Sequence, residues 1–418
     1  MTLSAERADN SPTFSQASPL ASLSLAYYTL AFVLGGIVVD FGLSDEQQLT
    51  VDSLRAFAVR ELLPRYTYWD RHGLFPREQW LKMGQLGVLG LRVSPEWGGQ
   101  DSDCVTAGLV MEEIARGDFN CGYGILLCCF AGDVLERFGS EGLRRTWLGP
   151  MVAGEKIICT AVTEPHCGSD AAAIRTRATR TSNGYVLNGE KSAITLLMVG
   201  DAAVVFAKTD PDGGARGISS FLVPLDLPGI QRHPYSDMGA RGIVRGSLFL
   251  DNVEIPADHL IGTEGGGFIQ VMQAFDYTRA LIGLMCIGAA QITVEETIRY
   301  LKTRKAFGQP LSAYQGVSFP VAEWTARLEM ARLLCLRTLW LRDRGLPHTA
   351  EAAMCKMQAP DIAVGAIHEC LILHGQYGYT QDFPIEQRLR DVIGQQIADG
   401  TPQIQKLIVA RRLFGREG

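Results

Sequence analysis

Ala202-Ala203-Val204-Val205-Phe206-Ala207 is an unbroken apolar hexapeptide, with the length of a strand buried on both faces. Residues 218–223 and 247–250 repeat the strand signal. Asn183-Gly184, Asn188-Gly189 and Asp212-Gly213-Gly214 supply turn chemistry between such segments. A period of two therefore runs from about residue 152 to 261. Upstream, over 41–151, the period is helical. Residues 77–86 and 105–115 carry apolar side chains at three- and four-residue spacing, and Pro95-Glu96-Trp97-Gly98-Gly99 forms an irregular loop between them. Downstream, over 262–418, windows 269–302, 318–343 and 350–377 are rich in Ala, Leu, Met, Glu and Arg. The expectation is an α+β multidomain chain: helices, a small β domain, then a helical bundle.

The chain has 418 residues, 47% hydrophobic and 20% charged, which excludes wholesale disorder. A formal net charge of -6 excludes a dedicated nucleic-acid binder, which needs a basic face to displace counterions. The ten cysteines include no CxxC and several sit in apolar runs, such as Cys128-Cys129 and Cys335, so they read as reduced thiols of a cytoplasmic protein. Histidines number seven without HExxH or HxxxH, so no metal site is expected. Residues 11–39 carry no charge and 20–39 are apolar over a bilayer-spanning length. Arg7 is outweighed by Glu6 and Asp9, and no small-x-small cleavage site follows. Residues 1–40 are thus read as an appendage, with a membrane anchor as the competing reading, and the folded part is expected to begin near Phe41. There Ser44 can cap a helix with Gln47 at the third position, and Leu54, Phe57 and Ala58 share one face.

The dinucleotide fingerprint GxGxxG and the nucleophile elbow GxSxG are both absent. Residues 184–191 look like a P-loop, but Glu190 separates Gly189 from Lys191 and no helix follows, so two β-turns are the better reading. Three other stretches stand out. Thr163-Glu164-Pro165-His166-Cys167-Gly168-Ser169-Asp170 follows the strand-like 158–162 and offers N–H and OH groups to a planar heterocycle or an anion, or is an ordinary turn. Arg304-Lys305-Ala306-Phe307-Gly308-Gln309-Pro310 ends a long helix with clustered cations, either a phosphate clamp or a solvated helix end. Ile397-Ala398-Asp399-Gly400-Thr401-Pro402-Gln403 places one carboxylate in a glycine turn before a helix, as a cap or a catalytic group.

In this order the segments resemble the acyl-CoA dehydrogenase superfamily of flavoproteins. Asn188-Gly189-Glu190-Lys191, Gly375 with Gly378-Tyr379, Arg390-Asp391 and Gln403-Ile404-Gln405 add to the likeness, which covers about residues 41–415. The resemblance implies an N-terminal α-helical domain, a middle β-barrel-like domain and a C-terminal four-helix bundle. It also implies non-covalent FAD. Thr160, Ala161, Val162, Thr163, Gly168 and Ser169, with Ile194 and Thr195, would flank the flavin ring. Arg304, Gln315, His374, Gly375 and Gln376 would hold the pyrophosphate and adenosine, largely of an adjacent subunit's cofactor, with Thr401 and Gln403 completing the shared site. Ser169, Asp276, Arg279 and Gly400 fall where the family contacts the substrate thioester. A homotetramer, or at least a homodimer, is implied, with electron-transfer flavoprotein as acceptor. Asp399 would remove the α-proton of the acyl thioester while a hydride leaves the β-carbon for flavin N5. The base residue's own backbone N–H and a ribityl hydroxyl would stabilise the enolate-like oxygen.

Two departures from the family's pattern set an expectation about substrate. Asp399 stands where most members carry glutamate, and Thr278 occupies the alternative glutamate position. The usual tryptophan after Lys191 is Ala193. Both enlarge the site, pointing to a bulky acyl group, cyclic or α-branched, like cyclohexane-carbonyl thioesters. Compensating backbone shifts around a shorter base are the bland alternative. A nitroalkane oxidase using Asp399 and a dehydrogenase of acyl carrier protein thioesters are the competing functions. His166, Cys167 and His374 are read as packing residues.

Overall fold

The computed structural model describes residues 42–415. The appendage and the start near Phe41 lie outside them. Ser44 and Gln47 form a reciprocal capping box, the Gln47 N–H donating to Ser44 Oγ at 3.1 Å and the Ser44 N–H to Gln47 Oε1 at 3.1 Å. It opens helix α1 (Asp45–Phe57), which buries Val51, Leu54 and Phe57 before one π-helical turn, Ala58–Leu62. Helices α2 (Tyr66–His72), α3 (Arg77–Gln85), α4 (Cys104–Gly117), α5 (Phe119–Phe138) and α6 (Glu141–Val152) complete the N-terminal part. Asp103, Asp118 and Ser140 accept N–H bonds at the starts of α4, α5 and α6.

Eight strands follow: β1 (Ile158–Ala161), β2 (Arg177–Arg180), β3 (Gly184–Ile194), β4 (Ala202–Lys208), β5 (Ile218–Pro224), β6 (Ile230–Pro234), β7 (Gly246–Pro256) and β8 (Leu260–Ile261). They form one mixed sheet in the order β6-β7-β3-β2-β4-β5-β8, with β1 pairing parallel to β4. Strand β4 is buried along its apolar run, as the opening hexapeptide requires. Asn183-Gly184 does turn β2 into β3, where the Thr181 N–H donates to the Gly184 carbonyl. Asn188-Gly189 does not turn the chain. It lies within β3 at a register shift against β7, where Asn188 Oδ1 accepts the Asn252 N–H at 2.9 Å. Gly189 has φ 152°, and a Cβ there would lie 2.5 Å from Thr176 Oγ1, so a bulge and a close approach, rather than a hairpin, require this glycine.

The C-terminal part consists of α7 (Gly267–Thr303), a hairpin of β9 (Lys305–Ala306) and β10 (Gln309–Pro310), then α8 (Gln315–Asp343), α9 (Thr349–Leu373), α10 (Ile385–Ile393) and α11 (Pro402–Phe414). Helices α5 and α7 are each long and apolar enough to cross a membrane, and both are mostly buried inside this fold. At Gly288 the α7 backbone approaches α4 so closely that a Cβ would lie 2.3 Å from the Glu112 carbonyl oxygen. Ion pairs between half-buried arginines and buried acids tie the parts together: Arg332 holds Glu112 at 2.7 Å, and Arg390 holds Asp70 at 2.7 Å. Asp391 accepts the Ala240 N–H at 2.5 Å, so the Arg390-Asp391 pair clamps the fold. All ten cysteines are free and buried.

Candidate active site

A cavity of about 630 Å³ opens where the sheet, α5, α7 and α11 meet. That volume lies in the range of roughly 300–1,000 Å³ usual for small-molecule sites. Strand alternation decides what β1 contributes: Thr160 and Val162 face the cavity, while the Ala161 methyl is fully buried, so Ala161 offers its backbone alone. Thr163, Gly168 and Ser169 continue this wall, and Ala193, Ile194 and Thr195 at the end of β3 complete it. Ala193 has φ 58° within an irregular stretch of the β3–β7 ladder, and its N–H donates to the Tyr235 hydroxyl at 3.3 Å. The wall is knotted from behind. Lys191, fully buried, donates to the Val162 carbonyl at 2.9 Å and to Glu164 Oε1 at 2.8 Å. Burial pushes its ammonium down to about 8, against the pull of Glu164. Lys191 sits mid-strand, so it is no P-loop lysine. Glu164, His166 and Cys167 bring ligand atoms within 4.8 Å of one another, but Glu164 already accepts from Lys191 and from the Arg175 and Thr176 N–H groups.

The opposite wall is helical. Tyr123, Leu126, Leu127 and Phe130 form one stripe of α5; Phe268, Met272, Phe275 and Arg279 one of α7; Ile404, Leu407, Ile408 and Arg411 one of α11. Between them stands the turn bearing Asp399 (φ 52°) and Gly400 (φ 94°), with Thr401 as cap of α11. Burial raises the Asp399 carboxyl above its ordinary value; Lys356, Arg279 and the Tyr123 hydroxyl pull it back down. Arg279 is buried and donates to Asp276 Oδ1 at 2.9 Å, and burial lowers its guanidinium. Asp276 does not line the cavity. It orients Arg279 and accepts from the Thr349 hydroxyl at 2.6 Å. Gln403 is exposed and also stays outside, whereas Gln405, buried, donates to the Gly400 carbonyl at 3.1 Å.

The remaining expected residues gather at the other end of α7. Between Arg279 and Arg304 the helix runs for roughly 36 Å. Arg304, Gln315, Gly375 and Gln376 are exposed there, with the Arg304 guanidinium 5.8 Å from the Tyr377 ring centre. His374 turns inward. Its ring stacks on Tyr300 at 4.2 Å and its Nδ1 meets the Cys370 carbonyl at 2.8 Å. Within one chain the expected residues therefore form two separate groups.

Tyr123, Lys356, Arg245 and the apolar stripes carried no sign in the sequence. The helical spacing of Tyr123, Lys356 and the stripes reads equally as core, and Arg245 lies in the irregular segment just before β7. The cavity accommodates a flavin: its β wall presents hydroxyls to a planar ring, and Thr160 Oγ1 is buried there without a partner, as is Arg279 Nε.

The chain belongs to the acyl-CoA dehydrogenase family. Family models match its N-terminal domain over residues 44–155, its middle domain over 159–253 and its C-terminal domain over 265–414. The human mitochondrial short-chain specific acyl-CoA dehydrogenase is 37% identical over 375 residues, covering 89% of this chain and 91% of that one. Butyryl-CoA dehydrogenase from Megasphaera elsdenii superposes with a TM-score of 0.87 at 30% identity, covering 90% of this chain and all of that one. A glutaryl-CoA dehydrogenase from Mycobacterium smegmatis, solved with FADH2, superposes with a TM-score of 0.85 at 29% identity, covering 90% and 96%. The protein is an FAD-dependent oxidoreductase of the acyl-CoA dehydrogenase type.

Proposed function

We propose that the protein forms a double bond between the α and β carbons of a bulky acyl thioester, cyclic or α-branched, with Asp399 as the base. The observation that carries this reading is the Asp399 turn. It sets a carboxylate, raised by burial, into a cavity whose helical wall is apolar. Proton removal from the α-carbon leaves its electron pair to form the C=C bond, as the β-hydrogen departs with two electrons. Bound FAD supplies the acceptor for that hydride. Thr160, Val162, Thr163, Gly168, Ser169, Ile194, Thr195 and the Ala161 backbone would face the flavin, with Thr401 beside them. Ser169, Arg279 and Gly400 would meet the thioester. Thr278 lines the cavity without a carboxylate; of the two acids that do line it, Asp170 is exposed, whereas Asp399 stands among the apolar helical stripes and would be the base. Ala193 and the short aspartate leave the room for a ring or branch.

The exposed group at the far end of α7 would hold the adenosine half of a second subunit's FAD, making the enzyme an oligomer. Electron-transfer flavoprotein would reoxidise the flavin, in the cytoplasm. The test is turnover of cyclohexanecarbonyl-CoA against octanoyl-CoA with an artificial acceptor. Faster reaction of the ring supports the reading, and faster reaction of the straight chain contradicts it. Peroxide released with nitroalkanes, or turnover of carrier-protein thioesters alone, would move the assignment to those substrates.

A further inference from the structure

We infer that Lys356 is a positioning residue for the proposed base: its ammonium clamps the 395–400 turn on which Asp399 sits. This rests on the reading of Asp399 as base. Lys356 lies in α9 and is fully buried. Among the described residues no carboxylate stands within ion-pairing distance of it. Its Nζ instead donates to two backbone carbonyls, Gln395 at 2.6 Å and Gly400 at 3.2 Å. Those carbonyls bracket the segment that carries Asp399. From the other side, Gln405 Nε2 donates to the same Gly400 carbonyl at 3.1 Å and to that of Asp399 at 3.4 Å.

A turn with consecutive left-handed residues, one of them an aspartate, is strained alone and needs outside bonds to persist. A lone buried ammonium is costly, and a methionine of similar length would fill the space without that cost. The cation therefore contributes its donors and its charge. The groups facing Asp399 are Lys356 from α9, Arg279 from α7 and Tyr123 from α5. Those facing Lys356 are Asp399, Cys286 and Arg279 from α7, and Asp361 on its own helix. Arg279 is ion-paired with Asp276, whereas Lys356 makes no ion pair among the described residues; Asp361, on its own helix, accepts from Gln396 Nε2 at 2.7 Å instead.

The experiment compares Lys356→Met and Lys356→Gln holoenzymes with the wild type. Three quantities are read: kcat against pH, exchange of the substrate α-proton with D2O, which needs the base alone, and the melting temperature. In Lys356→Met, kcat at neutral pH falls about 10–100-fold. The acid limb of both rate and exchange moves upward by about one pH unit, because a lost neighbouring cation makes the carboxylate harder to ionise. Lys356→Gln keeps a donor, so it recovers part of kcat while its limb stays displaced. An unmoved limb and undiminished exchange in either folded variant, with lowered melting alone, overturn the inference. Exchange that survives Asp399→Asn overturns the base assignment instead, so the two failures are distinguishable.

Discussion

Two fully buried lysines stand behind opposite walls of the cavity, and they are held differently. Lys191 has an acid, Glu164 at 2.8 Å, as well as the Val162 carbonyl. Burial alone would raise Glu164, but Lys191 and two backbone N–H groups hold it below its ordinary value. Its charge is thus neutralised where it stands, and the knot fixes the chain of the β wall. Lys356 has carbonyls alone, so its charge reaches past its hydrogen bonds to Asp399. A paired buried ion organises structure, and an unpaired one is free to act on a neighbour's ionisation.

Removing the base tests the helical wall most severely. Asp399→Asn should lower kcat by about 10²–10⁴-fold with the flavin still bound. A fall in stability without a fall in turnover would break the contrast. On the β wall, Lys191→Met leaves Glu164 buried and unpaired, and should cost about 3–5 kcal/mol of stability in denaturant unfolding. Replacing both, as Lys191→Met with Glu164→Leu, should recover most of that loss. Persistent instability of the double variant would mean that the pair is not the knot. Gly400→Ala comes next. At φ 94°, with a Cβ only 2.4 Å from Gln405 Nε2, it should cost roughly 1–3 kcal/mol of local strain and lower kcat about tenfold. The smallest effect belongs to Tyr123→Phe. Its hydroxyl favours the Asp399 carboxylate, so its loss raises the base's pKa, and activity should begin to fall at a higher pH than in the wild type. A limb displaced downward would reverse the assigned sign.

The three regimes were legible because each rests on periodicity over many residues, and the capping box at Ser44 because it is local chemistry. The Asp399 turn was legible from its glycine and the helix cap that follows. Asn188-Gly189 was misread because the same dipeptide suits a turn or a bulge, and the partners that decide, Thr176 and Asn252, come from other segments. Asp276 and Gln403 follow from the motif alone, and neither lines the cavity of this chain: Asp276 is taken up by Arg279 and Thr349, and Gln403 is exposed. Tyr123 and Lys356 were invisible for the opposite reason: a tyrosine in an apolar helix and a lysine in an alanine-rich one carry no mark until tertiary packing sets them beside Asp399.

The most direct test is anaerobic. The oxidised-flavin absorbance is followed while cyclohexanecarbonyl-CoA is added to the wild type and to Asp399→Asn. Bleaching in the wild type, and none in the variant at equal flavin content, is the predicted result. Bleaching that survives Asp399→Asn, or a wild-type flavin that the ring substrate leaves oxidised, would contradict it.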